Sequence, residues 1–462
     1  PRYFIFILGY RDLVPTEMKP KVPARAKSHA SLGARELATR GSPNVLVRFL
    51  RILGPGVIAG ASDDDPSGIG TYSVAGASLG FSTLWTALIT LPMMAAVQYI
   101  AARIGLVTGL GFGSILRRYY PAWVAIGIAL ALLVANTINA GADIGAIAAA
   151  VNLLAPRVSI TALVIPIGAM LLAFQWWGSY RLLTSIFKWL ALALFAYIAA
   201  AVLAHPNWQE VLLGTFVPRI RFDSSYLTTL VAILGTTISP YMLYWQASQE
   251  VEEDIALGRT SLRQRRGTTP RELRYAAIDI GIGMLFSNIV MYFIITATGA
   301  TLYASGHHQI QTATDAARAL APLAGQWSQW LLALGLIGSG ILAVPVMTIS
   351  SAYALAGALG WKEGLNFDPT RAPHFYAIIA GSTLVGMEIN FSGLGTIAAL
   401  FWSAVINGLL APIVLFVLML VANNRKIMAE NVNGWLLNVL GWTTTVIMAV
   451  AAILLVVYAN GG

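Results

Sequence analysis

An acidic run beside a proline is the part of this sequence best suited to bind a cation. Residues 62–68 read SDDDPSG and lie within an apolar stretch from about residue 57 to residue 81. A charge at the centre of a bilayer costs about 2.5–3.5 kcal/mol on insertion scales, so three carboxylates there indicate a function. Because proline has no N–H, Pro66 interrupts the helix beside Asp65. An opened helix next to a carboxylate is one way in which membrane proteins build cation sites.

A second break of the same kind is predicted near residue 240, in the apolar stretch 225–255. Pro66 deprives the Ser62 carbonyl of its helical donor, and Pro240 does the same to Thr236. Half-helices that end at these breaks direct the negative ends of their dipoles towards the site, which favours a cation. Oxygen ligands suit hard ions such as Mg²⁺, Ca²⁺ and Mn²⁺. The predicted metal-site residues are Asp65, the Thr236 carbonyl, the Ser67 and Ser239 hydroxyls, and Gly68 in the unwound segment.

Composition places these breaks in an all-α polytopic membrane protein. The chain has 462 residues, of which 57% are apolar and 11% are charged, and its mean hydropathy is +0.71. No cysteine is present, which excludes disulfides and thiolate metal sites. The net charge of +9 is attributed to basic cytoplasmic loops, so no nucleic-acid partner is expected. The spans contain no nucleophile–base pair or cofactor motif, so neither an enzyme nor a cofactor is predicted.

Eleven apolar stretches are long enough to cross a membrane. Most of the 29 Lys and Arg residues lie in the N-terminal tail and in the loops after even-numbered spans. This asymmetry predicts a cytoplasmic N-terminus and an outside C-terminus. The chain is also expected to be a monomer surrounded by lipid in a bacterial-type plasma membrane. The predicted spans are 52–79, 83–104, 122–151, 159–177, 183–204, 225–255, 273–303, 327–359, 374–391, 394–422 and 434–459.

The two interrupted spans are the first and the sixth, which predicts two inverted five-helix repeats. The alternative is that both prolines only kink the helices of an ordinary bundle. The predicted organisation is a cytoplasmic tail at 1–50 and a transporter domain at 51–462. Within that domain, repeat one covers about 52–204, repeat two covers about 225–422, and an extra helix covers about 434–459. Met18 is a sensible start, so residues 1–17 are interpreted as an extension.

The motifs resemble those of the NRAMP family of divalent metal transporters, from about residue 45 onwards. The resemblance is carried by Gly54-Pro55-Gly56, by residues 65–68 (DPSG) and by residues 235–244 (GTTISPYMLY). It implies a LeuT-type inverted 5+5 repeat with broken first and sixth helices. The usual family motifs are Asp-Pro-Gly-Asn in the first span and Met-Pro-His in the sixth, and the family's carbonyl ligand falls on Thr236.

Three departures from the family motifs change the expected ion. Gly68 stands where the family has an amide, Ser239 where it has a thioether, and Tyr241 where it has an imidazole. Losing a thioether removes the preference for softer metals. A wider, all-oxygen site also suits a partly hydrated Mg²⁺. The pattern is similar to that of the NRAMP-related magnesium transporters, so the predicted substrate is Mg²⁺, together with Mn²⁺.

Proton coupling is not expected. Typical members of the resembled family are proton symporters, but none of the five histidines here lies in the middle of a span, and the ninth span has no arginine. A proton relay needs a chain of titratable groups. We therefore predict uncoupled uptake by alternating access. The pathway candidates are Tyr241, Asp143, Asn139, Asn407 and Glu250.

Two other functions compete with this prediction. One is a proton-coupled Mn²⁺/Fe²⁺ importer, which is the ordinary family activity. The other is a cation-coupled symporter of a small organic solute on the same fold, although Asp65 would repel an anionic substrate. The roles of Asp63 and Asp64 also stay open, because they would either attract cations or accept hydrogen bonds within the unwound segment.

Overall fold

Proline and glycine positions divide the chain into helices of very unequal length. The computed structural model describes residues 59–177 except 61, residues 195–320 and residues 325–460, and every regular element in these ranges is helical. The longer helices are α1 (Pro66–Leu79), α2 (Trp85–Thr108), α3 (Phe112–Tyr119), α4 (Ala122–Leu154), α5 (Ile160–Trp177), α6 (Phe195–Leu203), α7 (Trp208–Phe216), α8 (Ser224–Thr237), α9 (Pro240–Ala256), α10 (Pro270–Thr298), α11 (Ser328–Leu359), α12 (Pro373–Ile389), α13 (Thr396–Ala422) and α14 (Trp435–Asn460).

Short elements connect these helices. Single turns of α-helix cover Leu262–Arg265, Ala313–Ala317 and Arg425–Met428. Turns of 3₁₀-helix cover Gly80–Thr83, Arg318–Leu320 and Gly325–Trp327, and α10 continues as a π-turn over Gly299–Tyr303.

Both predicted breaks are present, and a proline begins the helix after each of them. Asp65 is the N-cap of α1, with an extended backbone at φ −66° and ψ 168°. Ser239 is the N-cap of α9, at φ −67° and ψ 128°. Proline is well tolerated at the first position of a helix, where an N–H would have no helical partner. The chain therefore opens immediately before Pro66 and Pro240, as their covalent structure requires.

The helices pack in pairs that an inverted repeat would exchange. The α4 and α11 helices form the most extensive pair. The α1 helix, which follows the first break, packs against α10, and α9, which follows the second break, packs against α2. If the first and sixth predicted spans correspond, and likewise the second and seventh, these two contacts are equivalent. The contacts therefore agree with the inverted repeat predicted from the spacing of the breaks.

Small residues bring the sixth-span helix α8 against α13. A Cβ on Gly235 would lie 2.2 Å from the carbonyl oxygen of Ala404, and a Cβ on Gly408 would lie 2.4 Å from that of Val231. Glycine at such positions allows two backbones to approach closely, as is common between membrane helices. This packing fixes the end of α8, and hence Thr236, relative to α13.

The observed helices agree with most predicted spans but do not establish their number. Seven helical segments in the described ranges are long and apolar enough to cross a membrane, and Ile160–Trp176 is a shorter apolar helix. The fifth predicted span is described only from residue 195 onwards, and the first only from residue 59. The count of eleven therefore stays a prediction. The tail at 1–50 and the motif Gly54-Pro55-Gly56 lie outside the described residues.

Candidate metal-binding site

Asp65 is a fully buried carboxylate held at the first break. Its Oδ1 accepts hydrogen bonds from the Gly68 amide at 2.6 Å and from the Ser67 hydroxyl at 2.7 Å. Its Oδ2 accepts one from the Asn139 amide on α4 at 3.2 Å. The side chain is 1% exposed. One oxygen thus caps its own helix, while the other faces α4 and is held by a single, longer hydrogen bond. The predicted ligand Ser67 donates its proton to Asp65 and keeps its lone pairs.

Oxygens from both breaks converge on Gly68. A Cβ built at this position would lie 3.1 Å from the Asp63 carbonyl oxygen, 3.2 Å from the Thr236 hydroxyl oxygen and 3.3 Å from Asp65 Oδ1. A carbonyl, a hydroxyl and a carboxylate therefore surround the space that the absent side chain leaves. Thr236 is predicted as a ligand through its carbonyl oxygen. In the structure, its hydroxyl oxygen is the atom that borders the space at Gly68 together with Asp65.

Hydroxyl groups cap the two carbonyls that the prolines leave without helical donors. The Tyr241 hydroxyl donates to the Ser62 carbonyl at 3.3 Å. The Ser239 hydroxyl donates to the Thr236 carbonyl at 2.8 Å. Each carbonyl oxygen has a second lone pair, so neither contact prevents coordination of an ion. Tyr241 and Ser239 thus satisfy the backbone of the breaks in the conformation described.

Asn139 connects Asp65 to the α11 and α13 helices. Its amide nitrogen lies 3.2 Å from Asp65 Oδ2 and also 3.2 Å from the Met347 sulfur on α11. Its amide oxygen accepts from the Ser403 hydroxyl on α13 at 2.6 Å. Asn139 was predicted as a pathway residue, but Met347 was not predicted, because a methionine in an apolar span has no feature that separates it from the packed core.

Two further pathway candidates, Asp143 and Asn407, have buried side-chain oxygens that accept no hydrogen bond of ordinary geometry. Both carboxylate oxygens of Asp143 and the amide oxygen of Asn407 are in this state. Asp143 is 0% exposed and lies one helical turn after Asn139, close to the Ser67 amide and to Asp65. Unsatisfied buried oxygens are costly. The Asp143 oxygens are therefore available to bind a cation or water next to Asp65.

The other two carboxylates of the acidic run point to a different helix. The Ser287 hydroxyl on α10 lies 2.8 Å from Asp63 Oδ2 and 3.3 Å from Asp64 Oδ1. Asp63 Oδ1 and Asp64 Oδ2 have no hydrogen-bond partner. These hydrogen bonds come from α10 and not from the unwound segment, so the roles of Asp63 and Asp64 stay open. The three adjacent carboxylates thus divide between α4 and α10.

The remaining candidate, Glu250, lies towards the end of α9. It is buried and accepts a hydrogen bond from the Gln246 amide at 2.9 Å. Nearby, Glu252 accepts from the Tyr353 hydroxyl at 2.7 Å and from the Leu365 amide at 2.9 Å. These contacts tie α9 to α11 and to the loop after it, so this end of α9 is held by protein groups.

The site uses mixed donors instead of a cluster of strong metal ligands. Among the described residues, no three His, Cys, Asp or Glu side chains are arranged to hold a metal ion. The donors that converge are the Asp65 carboxylate, with Asp143 close to it, and hydroxyls, carbonyls, an amide and a thioether. Such a set of donors is typical of weak, reversible ion binding and not of a site for a resident metal.

Comparisons with known proteins identify the family of the whole chain. The model of the Nramp family, described as natural resistance-associated macrophage protein-like, matches residues 56–458. The divalent metal cation transporter MntH of Aeromonas hydrophila is 28% identical over 82% of this chain and 89% of its own length. The MntH of Deinococcus radiodurans is 27% identical over 92% and 94% respectively.

Solved structures show the same fold. The manganese transporter of Eremococcus coleocola, solved with an aromatic bis-isothiourea compound, gives a TM-score of 0.70 over 90% of this chain and 88% of that one, at 17% identity. MhsT in complex with L-phenylalanine gives a TM-score of 0.51 over 86% and 98%, at 16% identity. The all-helical, LeuT-like architecture is therefore confirmed. The members of the matched family are membrane transporters, so the chain is a transporter and not an enzyme, as predicted. Because the family model covers most of its length, this chain belongs to the Nramp family.

Proposed function

We propose that this protein carries a divalent metal cation across the membrane by alternating access, with Asp65 as the central ligand. The observation that carries the proposal is a buried carboxylate at the junction of two broken helices, surrounded by oxygens from both. Asp63, Asp64 and Asp143 add buried acidic groups close to it, and none of the four forms an ion pair within the described residues. Buried negative charge of this kind needs a positive partner, and a transported cation supplies it.

The ion is proposed to be Mn²⁺, with Mg²⁺ as a second substrate. The relatives are named as divalent metal cation transporters, and the similar solved structure is a manganese transporter. The oxygen atoms around Gly68, and the hydroxyls of Ser239 and Tyr241, favour a hard ion and keep Mg²⁺ as a candidate. Closeness to the magnesium-transporting branch stays a prediction from these three residues.

Transport is proposed to be driven by the membrane potential without proton coupling. A doubly charged ion gains about 4.6 kcal/mol per 100 mV, at about 2.3 kcal/mol per charge. The observation in favour is the residue at the sixth-span position near Asp65. Tyr241 stands there in place of a titratable imidazole, and its hydroxyl donates a hydrogen bond to the Ser62 carbonyl. The alternative is the proton-coupled Mn²⁺/Fe²⁺ importer, for which the buried Asp143 next to Asp65 is the observation in favour.

The proposal includes how the chain is organised in the membrane. The inverted repeat covers about 52–204 and 225–422, the extra helix is α14, and the N-terminus lies in the cytoplasm. The chain acts as a monomer in a bacterial-type plasma membrane. Symport of an organic solute is disfavoured, since Asp65 repels a carboxylate and the likeness to MhsT reflects the fold alone.

The test is ion flux into proteoliposomes, with a pH-sensitive dye inside. We expect Mn²⁺ and Mg²⁺ influx that depends on the membrane potential and leaves the internal pH unchanged. Asp65→Ala should abolish both fluxes, while Asp368→Ala, which alters an exposed loop carboxylate, should keep them. Internal acidification in step with metal entry would favour the proton-coupled alternative. Full flux through Asp65→Ala would refute the site.

A further inference from the structure

Three side chains from different helices meet in the space between Asp65 and Met347. One nitrogen, Asn139 Nδ2, lies 3.2 Å from Asp65 Oδ2 and 3.2 Å from the Met347 sulfur. The carboxylate oxygen and the sulfur are thus no farther apart than about twice that distance. All three side chains are buried. A carboxylate oxygen, an amide and a thioether from three different helices therefore meet at one point in the interior.

The amide nitrogen occupies a position that suits a cation. It directs partial positive charge at an anionic oxygen on one side and at a polarisable sulfur on the other, which is the electrostatic pattern a bound metal ion would provide. Oxygen and sulfur ligands bind a divalent transition metal at roughly 2.0–2.3 Å. An ion that replaced the amide nitrogen would contact both acceptors after a small approach of the two side chains.

Asn139 can also bind the ion through its amide oxygen, instead of occupying the ion's position with its amide nitrogen. Its amide oxygen now accepts from Ser403, and a half-turn of the amide would direct that oxygen at the Asp65–Met347 space. The nitrogen would then face the Ser403 hydroxyl, whose oxygen can accept a hydrogen bond. With a cation bound in that space, the exchange leaves every polar group of the asparagine with a partner.

We propose that Met347 and Asn139 complete the metal site at Asp65, with Met347 supplying a soft ligand from α11. The proposal rests on the proposed transport function and deepens it, because a thioether favours the more polarisable ions Mn²⁺ and Cd²⁺ over the alkaline-earth ions Mg²⁺ and Ca²⁺. The sequence predicts an all-oxygen site because Ser239 carries no sulfur. The structure places a sulfur near Asp65 from a helix that carries no break.

Hydrogen bonds between α4 and α11 support this role. Asn136, one turn before Asn139, donates to the Met347 carbonyl at 3.2 Å and to the Ser351 hydroxyl at 2.9 Å. Met347 is therefore held against α4 by its backbone as well as by its side chain. A ligand held in this way keeps its distance from Asn139 while the broken helices move.

The experiment compares Met347→Leu with the wild-type transporter in proteoliposomes, using Cd²⁺, Mn²⁺ and Mg²⁺ as probes. Leucine conserves apolar volume, so the fold should be retained. We expect the apparent affinity for Cd²⁺ and Mn²⁺ to fall about 10-fold or more, in the range seen when groups around a metal are altered, with Mg²⁺ affinity nearly unchanged. Met419→Leu, at a buried thioether packed against Gly441, is the matched control and should leave all three ions unaffected.

The outcomes separate this inference from the transport function itself. Equal Cd²⁺, Mn²⁺ and Mg²⁺ affinities in Met347→Leu and wild type, with flux still abolished in Asp65→Ala, would overturn the role of Met347 and leave the function standing. A parallel loss for all three ions would also overturn it, because that is the signature of a packing defect. Flux that survives in Asp65→Ala would instead refute the function. Recovery of Cd²⁺ affinity in Met347→Cys, which restores a sulfur ligand, would support the inference further.

Discussion

The Tyr241 hydroxyl donates a hydrogen bond to the Ser62 carbonyl at 3.3 Å, and this contact joins the two broken regions of the chain. Ser62 belongs to the helical turn before Pro66, and Tyr241 is the second residue of α9. The carbonyl is the one that Pro66 deprives of its helical donor, so a residue of the second break satisfies the backbone of the first. Both residues are fully buried.

Tyr241→Phe tests the importance of this contact. It removes one hydrogen bond from a buried carbonyl, and a typical intramolecular hydrogen bond contributes about 0.5–1.5 kcal/mol to stability. We expect a lower melting temperature in detergent, measured by intrinsic fluorescence, and slower metal flux. Tyr244→Phe is the control, since the Tyr244 hydroxyl is buried on the same helix without a hydrogen-bond partner. Equal melting temperatures for the two variants would show that the contact to Ser62 contributes little.

Gly68→Ala should impair transport because the added methyl group enters the oxygen cluster. Its carbon would lie 3.1–3.3 Å from oxygens of Asp63, Thr236 and Asp65. Displacing such groups by a fraction of an ångström should reduce Mn²⁺ flux about 10-fold or more. The control is Gly127→Ala on α4, where the new carbon meets nothing within 4 Å. That variant should transport normally and be slightly more stable, since alanine is the better helix former. Normal flux through Gly68→Ala would place the ion elsewhere.

Ser239→Met should move selectivity from alkaline-earth ions towards the more polarisable ions Mn²⁺ and Cd²⁺. It adds a thioether at the second break, and softer ligands favour Mn²⁺ and Cd²⁺ over Mg²⁺. The ratio of Mn²⁺ to Mg²⁺ affinity, from competition flux assays, should rise about 10-fold. Ser239→Ala removes the same hydroxyl cap of Thr236 without adding sulfur, so it should lower flux without changing the ratio. An unchanged ratio in Ser239→Met would count against a ligand role at this position.

Glu363 gives the protein a pH-dependent stability. It lies in the loop after α11, where burial raises its pKa to about 7, the Ser114 hydroxyl at 2.6 Å opposes this and the Glu252 charge adds to it. A carboxyl with a raised folded-state pKa contributes stability that is present below its unfolded pKa, near 4.5, and is lost as the pH rises through 7. The wild-type melting temperature should therefore decrease as the pH rises from 5 to 8, across the folded-state pKa of Glu363.

Glu363→Gln isolates the contribution of this carboxyl. It keeps a hydrogen-bond acceptor for Ser114 but cannot ionise, so it should flatten the pH dependence and raise the melting temperature above pH 7. Asp368→Asn, at an exposed position in the same loop, is the matched control. The same slope in wild type and Glu363→Gln would assign the pH dependence to other groups.

The breaks could be predicted from sequence because proline acts locally. Pro66 and Pro240 remove a backbone donor wherever they stand in a helix, so the positions of Asp65 and Thr236 beside them followed directly. The partners of these residues could not be predicted in the same way. Met347 is separated from Asn139 by 208 positions, and Ser287 from Asp63 by 224. Both are ordinary residues of long apolar helices, and only the packing of α11 and α10 brings them to the breaks.

The central claim is that Asp65 binds the transported divalent ion, and Mn²⁺ binding measured by electron paramagnetic resonance tests it most directly. Bound Mn²⁺ loses the sharp signal of the free ion, so titration of purified protein gives stoichiometry and affinity. The structure predicts one saturable site per chain in the wild type and in Asp368→Ala, and no saturable binding in Asp65→Ala. Unchanged binding in a folded Asp65→Ala variant would contradict the account.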